Sequence, residues 1–137
     1  MNTASPPGRL LLSGKRDESI RALADTLRSD GHEVVQVSDF DRLLVSVSPG
    51  FFAVPDPPSF AMLVLDVQVS AHEAVPMLHG IRSRGWRMPI ILVAVRSDGA
   101  ARESAAALGT LVFDQPLDIP TIRAAVPYLL RHRPAWP

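Results

Sequence analysis

The sequence predicts an α/β fold, a doubly wound five-stranded parallel sheet with helices on both faces. Three observations predict it. Short continuous apolar runs recur along the chain, as in strands buried on both sides. Each run is followed by a segment whose apolar residues have helical spacing or helix-boundary signals. The length, 137 residues, fits one domain with room for a proper core.

The elements follow in order. Residues 1–8, "MNTASPPG", are small, polar and proline-containing, and read as a frayed arm. Arg9 to Ser13 reads as a buried strand. From Asp17 to Ser29, Ile20, Leu23, Ala24 and Leu27 fall at i, i+3, i+4 and i+7, and Gly31 supplies the stop. "EVVQV", Glu33 to Val37, is a second strand. "SDFDRLLVSV" reads as a short helix capped by Ser38 or Asp39. Ser48 to Ser59 carries four prolines and a glycine, so it reads as a surface loop or an insertion. Its Phe51 and Phe52 must pack somewhere or be offered to a partner.

"FAMLVLD", Phe60 to Asp66, is an apolar strand ending in a carboxylate. "EAVPMLHGIRSRG" follows as a helix, with Pro76 expected in the first turn, where its missing N–H costs nothing. "MPIILVAV", Met88 to Val95, is the most apolar strand. Ser97 to Leu108 reads as an alanine-rich helix ended by Gly109. "TLVFD" is the last strand. The last helix has Asp118 as its cap, Pro120 in its first turn and a kink expected at Pro127. The domain is therefore expected to span residues 9–131, with residues 132–137 as a tail that is either disordered, a cut linker or a short docking segment. Right-handed crossovers bring the ligand-binding edge of such a sheet to the carboxyl ends of its strands.

Composition narrows the function classes. Lys plus Arg and Asp plus Glu each number 14, so the formal charge is zero, which argues against direct nucleic-acid binding. The absence of cysteine removes disulfides and thiolate metal sites. No apolar run reaches the roughly 20 residues of a membrane span, and the N-terminus lacks the apolar core of a signal peptide. A cytoplasmic protein without membrane contact is expected.

The stretch "LLLSGKRDES", Leu10 to Ser19, poses the main chemical question. A phosphate loop needs G-x-x-x-x-G-K-[ST] after a strand. Here Gly8 and Gly14-Lys15 are one residue too far apart, Arg16 stands at the hydroxyl position, and Leu10 to Leu12 belong inside a strand. No G-x-G-x-x-G follows any strand, so a dinucleotide site is also unsupported. His32, His72, His79 and His132 form neither H-x-x-x-H nor H-E-x-x-H, and no metal site is expected from them. His72-Glu73 is a pocket liner or a solvated loop. There is no G-x-S-x-G to make Ser13 or Ser70 a nucleophile.

The β-α alternation, "MLVLD" ending in Asp66, "MPIILVAV" as fourth strand and "FDQPLD" after the fifth resemble the receiver domain of two-component response regulators, a flavodoxin-like (βα)5 three-layer sandwich. The resemblance covers Arg9 to about Arg131. It implies that Asp66 is the phosphoacceptor candidate, whose carboxylate attacks the phosphoryl group carried by a histidine kinase's phosphohistidine, giving an acyl phosphate and releasing the histidine. It also implies Mg²⁺, held by an acidic pair after the first strand, with a hydroxyl at the end of the fourth strand and a Lys after the fifth. The sequence departs from that pattern. The acidic pair falls on Ser13-Gly14, or on Gly14-Lys15; the hydroxyl position is Ala94; the Lys is Gln115. The aromatic switch position is Val112, with Phe113 adjacent. Asp17 and Glu18 read either as first-turn acids favoured by the helix dipole or as a displaced metal ligand.

Asp66 thus has two readings. It is a phosphoacceptor needing Mg²⁺, or a structural carboxylate paired with Lys15 or Arg16. The second is taken here, with Ser13, Gly14, Lys15, Arg16, Gln68, Ala94 and Gln115 as its pocket neighbours, no catalytic residue, and no cofactor unless Asp66 is phosphorylated. The resemblance implies a cis Gln115-Pro116 bond. It also implies signalling by docking on a histidine kinase or other signalling protein, or on a second copy through the helix Ser97–Leu108, the fifth strand and the last helix. The competing reading is a ligand-binding or enzymatic flavodoxin-like domain, which would need glycine-rich turns that are absent.

Overall fold

The computed structural model describes residues 9–14, 18–37 and 60–132. Five strands are found, β1 (Arg9–Ser13), β2 (Glu33–Val37), β3 (Met62–Asp66), β4 (Ile90–Ala94) and β5 (Thr110–Asp114). Four helices are described, α1 (Glu18–Ser29), α2 (Ala71–Ser83), α3 (Gly99–Ala106) and α4 (Ile119–Arg131). The strands form one sheet in the order β2-β1-β3-β4-β5, and every pair is parallel. This is the expected flavodoxin-like arrangement. The helix expected at 38–47, the proline-rich stretch 48–59, the arm and residues 133–137 lie outside the described residues.

Strand alternation divides the core in two. Leu10, Leu12, Met62, Val64, Ile91 and Val93 face α1 and α4, where they meet Leu23, Leu27, Ile122 and Val126. Leu11, Leu63, Leu65, Ile90, Leu92 and Val112 face α2 and α3, where they meet Leu78, Ile81, Trp86, Ala101 and Ala105. β3 and β4 are buried along their whole length, which is why they read as unbroken apolar runs. Among the described residues no helix is long and apolar enough to cross a membrane.

Several boundaries differ from the sequence reading, each for a local reason. The third strand starts at Met62, because Phe60 leaves the sheet to pack under the Arg9 guanidinium, 4.9 Å from the ring centroid. α2 starts two residues earlier than Glu73. Ser70 caps it: its Oγ accepts from the Glu73 N–H and donates to the Glu73 carboxylate, both at 3.2 Å. Pro76 therefore sits in the second turn and not in the first. The fourth strand is trimmed to Ile90–Ala94, since the Met88 carbonyl accepts from Arg82 and the Val95 N–H donates to Val69. α3 is shorter than 97–108: Asp98 is its cap, accepting from the Ala101 N–H at 2.8 Å, and Ser97 is engaged elsewhere. Asp118 holds the cap position of α4, but its side chain makes no cap bond; Pro120 lies in the first turn as expected. Pro127 lies on the exposed side of α4, and the helix continues through it to Arg131.

One side chain bridges the turns that enter β4 and β5. Arg82, near the end of α2, donates to the carbonyls of Trp86, Met88 and Leu108 at 2.8 Å each, and to Gly109 at 3.4 Å. It thereby ties the turn entering β4 to the turn entering β5. Burial pushes its pKa down to about 10.

The turn from α1 to β2 carries a titratable pair. Gly31 takes φ +98°, a left-handed conformation that ends α1, with the His32 N–H donating back to Leu27. Arg123 of α4 forks onto Asp30 at 2.6 and 2.9 Å and, by that hydrogen bond, holds the Asp30 carboxyl below its usual value. His32 has its Nδ1 buried without a hydrogen-bond partner among the described residues. Burial lowers its pKa, against an opposing pull from Asp30. The folded chain therefore resists a proton that the unfolded chain accepts near pH 6.5. Stability is expected to be full above that pH and to fall as the pH drops through the folded value. Urea midpoints at pH 7.5 and 5.5 test this: the drop should shrink in His32→Gln, and an equal drop in both proteins would refute it.

Candidate functional site

The parallel sheet brings the carboxyl ends of β1, β3, β4 and β5 to one edge. Register places Ser13 beside Leu65 and Val37, Asp66 beside Val93, and Ala94 beside Asp114. The residues that follow each strand complete the edge: the Gly14 N–H donates to Val37, the Val67 N–H to Val93 and the Gln115 N–H to Ala94.

Asp66 is 8% exposed, one of few buried polar residues here. The Gln115 side-chain amide donates to Asp66 Oδ1 at 2.7 Å and to the Val67 carbonyl at 2.9 Å. Both partners only accept, so the amide orientation is fixed: nitrogen faces them and both its protons are used. The Gln115-Pro116 bond is cis, as the sequence reading expected.

Gly14 closes the other side. A Cβ built there would lie 3.1 Å from the Asp66 Cβ and 3.0 Å from Ile20 Cγ1. The backbone thus approaches the Asp66 side chain so closely that a Cβ at position 14 would crowd it by a few tenths of an ångström. Ser13 and Ala94 are buried, and Gln68 points outward, exposed. So Ser13, Gly14, Ala94 and Gln115 all reach the edge around Asp66, and Gln115 and Gly14 contact it. Lys15 and Arg16, and with them the expected cation pairing to Asp66, lie outside the described residues.

Among the described residues the edge offers Mg²⁺ one carboxylate, Asp66; Asp17, the displaced-ligand candidate, lies outside them. That ion prefers several oxygens in near-octahedral array, chiefly carboxylates. Ser13 and Gly14 offer one hydroxyl and backbone, and Oδ1 of Asp66 already accepts from an amide. Among the described residues no three His, Asp or Glu come together to hold a metal ion.

Sequence reasoning missed a second polar group at the same edge. Ser97 Oγ donates to Asp114 Oδ1 at 2.7 Å, and Arg102 lies 3.5 Å from the same oxygen. The pair joins the loop after β4 to the end of β5. Its Asp114 lies in "FDQPLD", but the sequence pattern places Ser97 in the following helix and gives no sign of the pairing.

No protein-family model matches the sequence, and no curated protein matches it. Solved structures do. The receiver domain of the Francisella response regulator 1452 superposes with a TM-score of 0.72 at 12% identity, covering 93% of this chain and 99% of its own. The receiver domain of the hybrid histidine kinase CckA gives 0.64 at 20% identity, covering 90% and 99%. A response regulator from Burkholderia pseudomallei, solved with a phosphorylated aspartic acid, calcium ion and citrate, gives 0.59 at 15% identity, covering 91% and 69%. The fold is that of CheY-like response-regulator receiver domains.

Proposed function

We propose that the chain is an atypical receiver domain that signals by protein–protein contact, without Mg²⁺-dependent phosphorylation of Asp66. The observation that carries this reading is the Gln115 amide on Asp66 and Val67. Phosphoryl transfer to a carboxylate needs charge neutralised on the transferring group and a positioned donor set. Gln115 is neutral and its two N–H groups are spent. The packing of Gly14 against Asp66 leaves no side chain at one of the two positions where a metal-binding acid would stand. Asp66 is then a structural acceptor that fixes the loop after β5.

In this reading the domain, residues 9–131, is not an enzyme and works in the cytoplasm. Its partner is a histidine kinase or another signalling protein, or a second copy, engaged through α3, β5 and α4. Support for that face comes from its exposed apolar residues, Leu111 on β5 and Tyr128 on α4.

Intact mass after incubation with acetyl phosphate and Mg²⁺ tests the proposal. The mass is expected to stay unchanged. A gain of one phosphoryl group, lost in Asp66→Asn, would establish the alternative, a phosphorylatable receiver with Asp66 as acceptor.

A further inference from the structure

A cavity of about 490 Å³ opens between the end of β5 and the first turn of α4. That volume lies within the range of side-chain and small-ligand sites. Phe113, Leu117 and Ile122 supply an apolar lining, and the charged residues around it are both acids, Asp114 and Asp118. A helix start by itself favours an anion; here Asp118, which no cation neutralises among the described residues, opposes that preference.

The two acids are not equivalent. Asp114 is already engaged by Ser97 and Arg102. Asp118 accepts from the Thr121 hydroxyl and meets no cation among the described residues. A carboxylate has about four acceptor positions, so Asp118 retains capacity for a charged donor.

The surface continues away from the cavity. Leu111 precedes Phe113 by two residues, so both project from the same face of β5. It is 41% exposed. Tyr128 follows Thr121 by seven residues, two helical turns further along nearly the same side of α4. It is 55% exposed and its ring stacks on His132. An apolar strip thus ends in an acidic cavity, and exposed tyrosine is a residue type that anchors interfaces.

We propose that this face binds a partner protein by taking one of its basic side chains, arginine foremost, into the cavity. The apolar stem lies on Phe113, Leu117 and Ile122, and the cationic head pairs with Asp118. Flanking apolar residues of the same partner cover Leu111 and Tyr128. The inference rests on the reading of β5 and α4 as a docking surface and names what docks there. A second copy is the poorer occupant. Arg123 of α4 is held by Asp30 and Arg102 of α3 by Asp114, leaving Arg131 at the far end of α4.

Titration of ¹⁵N-labelled protein with acetyl-Leu-Arg-Leu-amide tests it, with acetyl-Leu-Glu-Leu-amide as control. The arginine peptide should shift the amides of Asp114, Leu117, Asp118 and Thr121; the glutamate peptide should not. Asp118→Asn keeps a good cap residue and should weaken the arginine peptide about fivefold or more. Equal shifts with both peptides, shifts spread over other exposed carboxylates, or unchanged affinity in Asp118→Asn would each overturn the proposal. So would peptide-free, concentration-dependent dimerisation that perturbs these same amides, since a second copy would then own the face. Phosphoryl uptake by Asp66 in the mass experiment would leave the peptide shifts untouched, so the two readings fail separately.

Discussion

Arg82→Ala is expected to destabilise the domain by about 3 to 5 kcal/mol, the range for breaking a buried charged hydrogen-bond network. The guanidinium serves four carbonyls, on Trp86, Met88, Leu108 and Gly109. Each carbonyl left buried and unpaired costs about 1 to 3 kcal/mol, less whatever water recovers. Alanine also removes the stem that packs between α2 and the two turns. Arg82→Lys is the discriminating control. It keeps the charge but has three donors on one atom, without the planar fork that spans two turns. It should recover less than half of the loss. Urea denaturation at constant m-value measures both. Arg82→Ala with a midpoint equal to the parent would mean that the turns into β4 and β5 hold without the fork.

Arg82 also shows where sequence reading stops. "IRSRG" was legible as the end of a helix, because its apolar spacing and glycine are local signals. Nothing local says that the arginine turns inward, since two of its partners lie 26 and 27 residues away. The sheet itself was legible for the opposite reason. Strands buried on both faces must be apolar at every position, so β3, β4 and most of β1 announce themselves in order.

The candidate site was legible in part. An aspartate closing an apolar strand, and a proline after the fifth strand, marked the edge and its chemistry. The bond between Gln115 and Asp66 spans 49 residues and could be seen only once β3 and β5 were placed in one sheet. The reading of Pro76 failed on a competition between signals: proline favoured a start near Glu73, but the Ser70 cap moved it earlier. The Ser70 hydroxyl satisfies the Glu73 N–H, and an exposed proline in the second turn is tolerated in exchange.

An acid placed at Gly14 should not create a metal site, and Gly14→Asp is expected to cost about 2 to 4 kcal/mol. The new Cβ would meet Asp66 Cβ at 3.1 Å and Ile20 Cγ1 at 3.0 Å. Neither neighbour yields easily. Asp66 Cβ is attached to the backbone of a fully buried strand, and Ile20 is 3% exposed on the inner face of α1. Gly14→Ala isolates the steric part. Removing a glycine from the unfolded chain stabilises by roughly 0.4 to 1 kcal/mol, so a net loss of about 1 kcal/mol in the alanine variant already means that crowding dominates. The aspartate adds a second negative charge beside Asp66, where a low dielectric strengthens the repulsion. Gln115→Lys in the same chain should then rescue part of the loss, because an ammonium can face both carboxylates where the neutral amide faces one. Urea midpoints of Gly14→Ala, Gly14→Asp and the Gly14→Asp, Gln115→Lys pair measure the steric and charge contributions separately. If Gly14→Asp were as stable as the parent and gained phosphoryl groups with Mg²⁺, the edge around Asp66 would be an open metal pocket lacking only its acid. If instead the alanine variant is already destabilised, the close approach of the backbone to Asp66 and the absence of an acid at position 14 go together, because a Cβ there crowds Asp66 and Ile20.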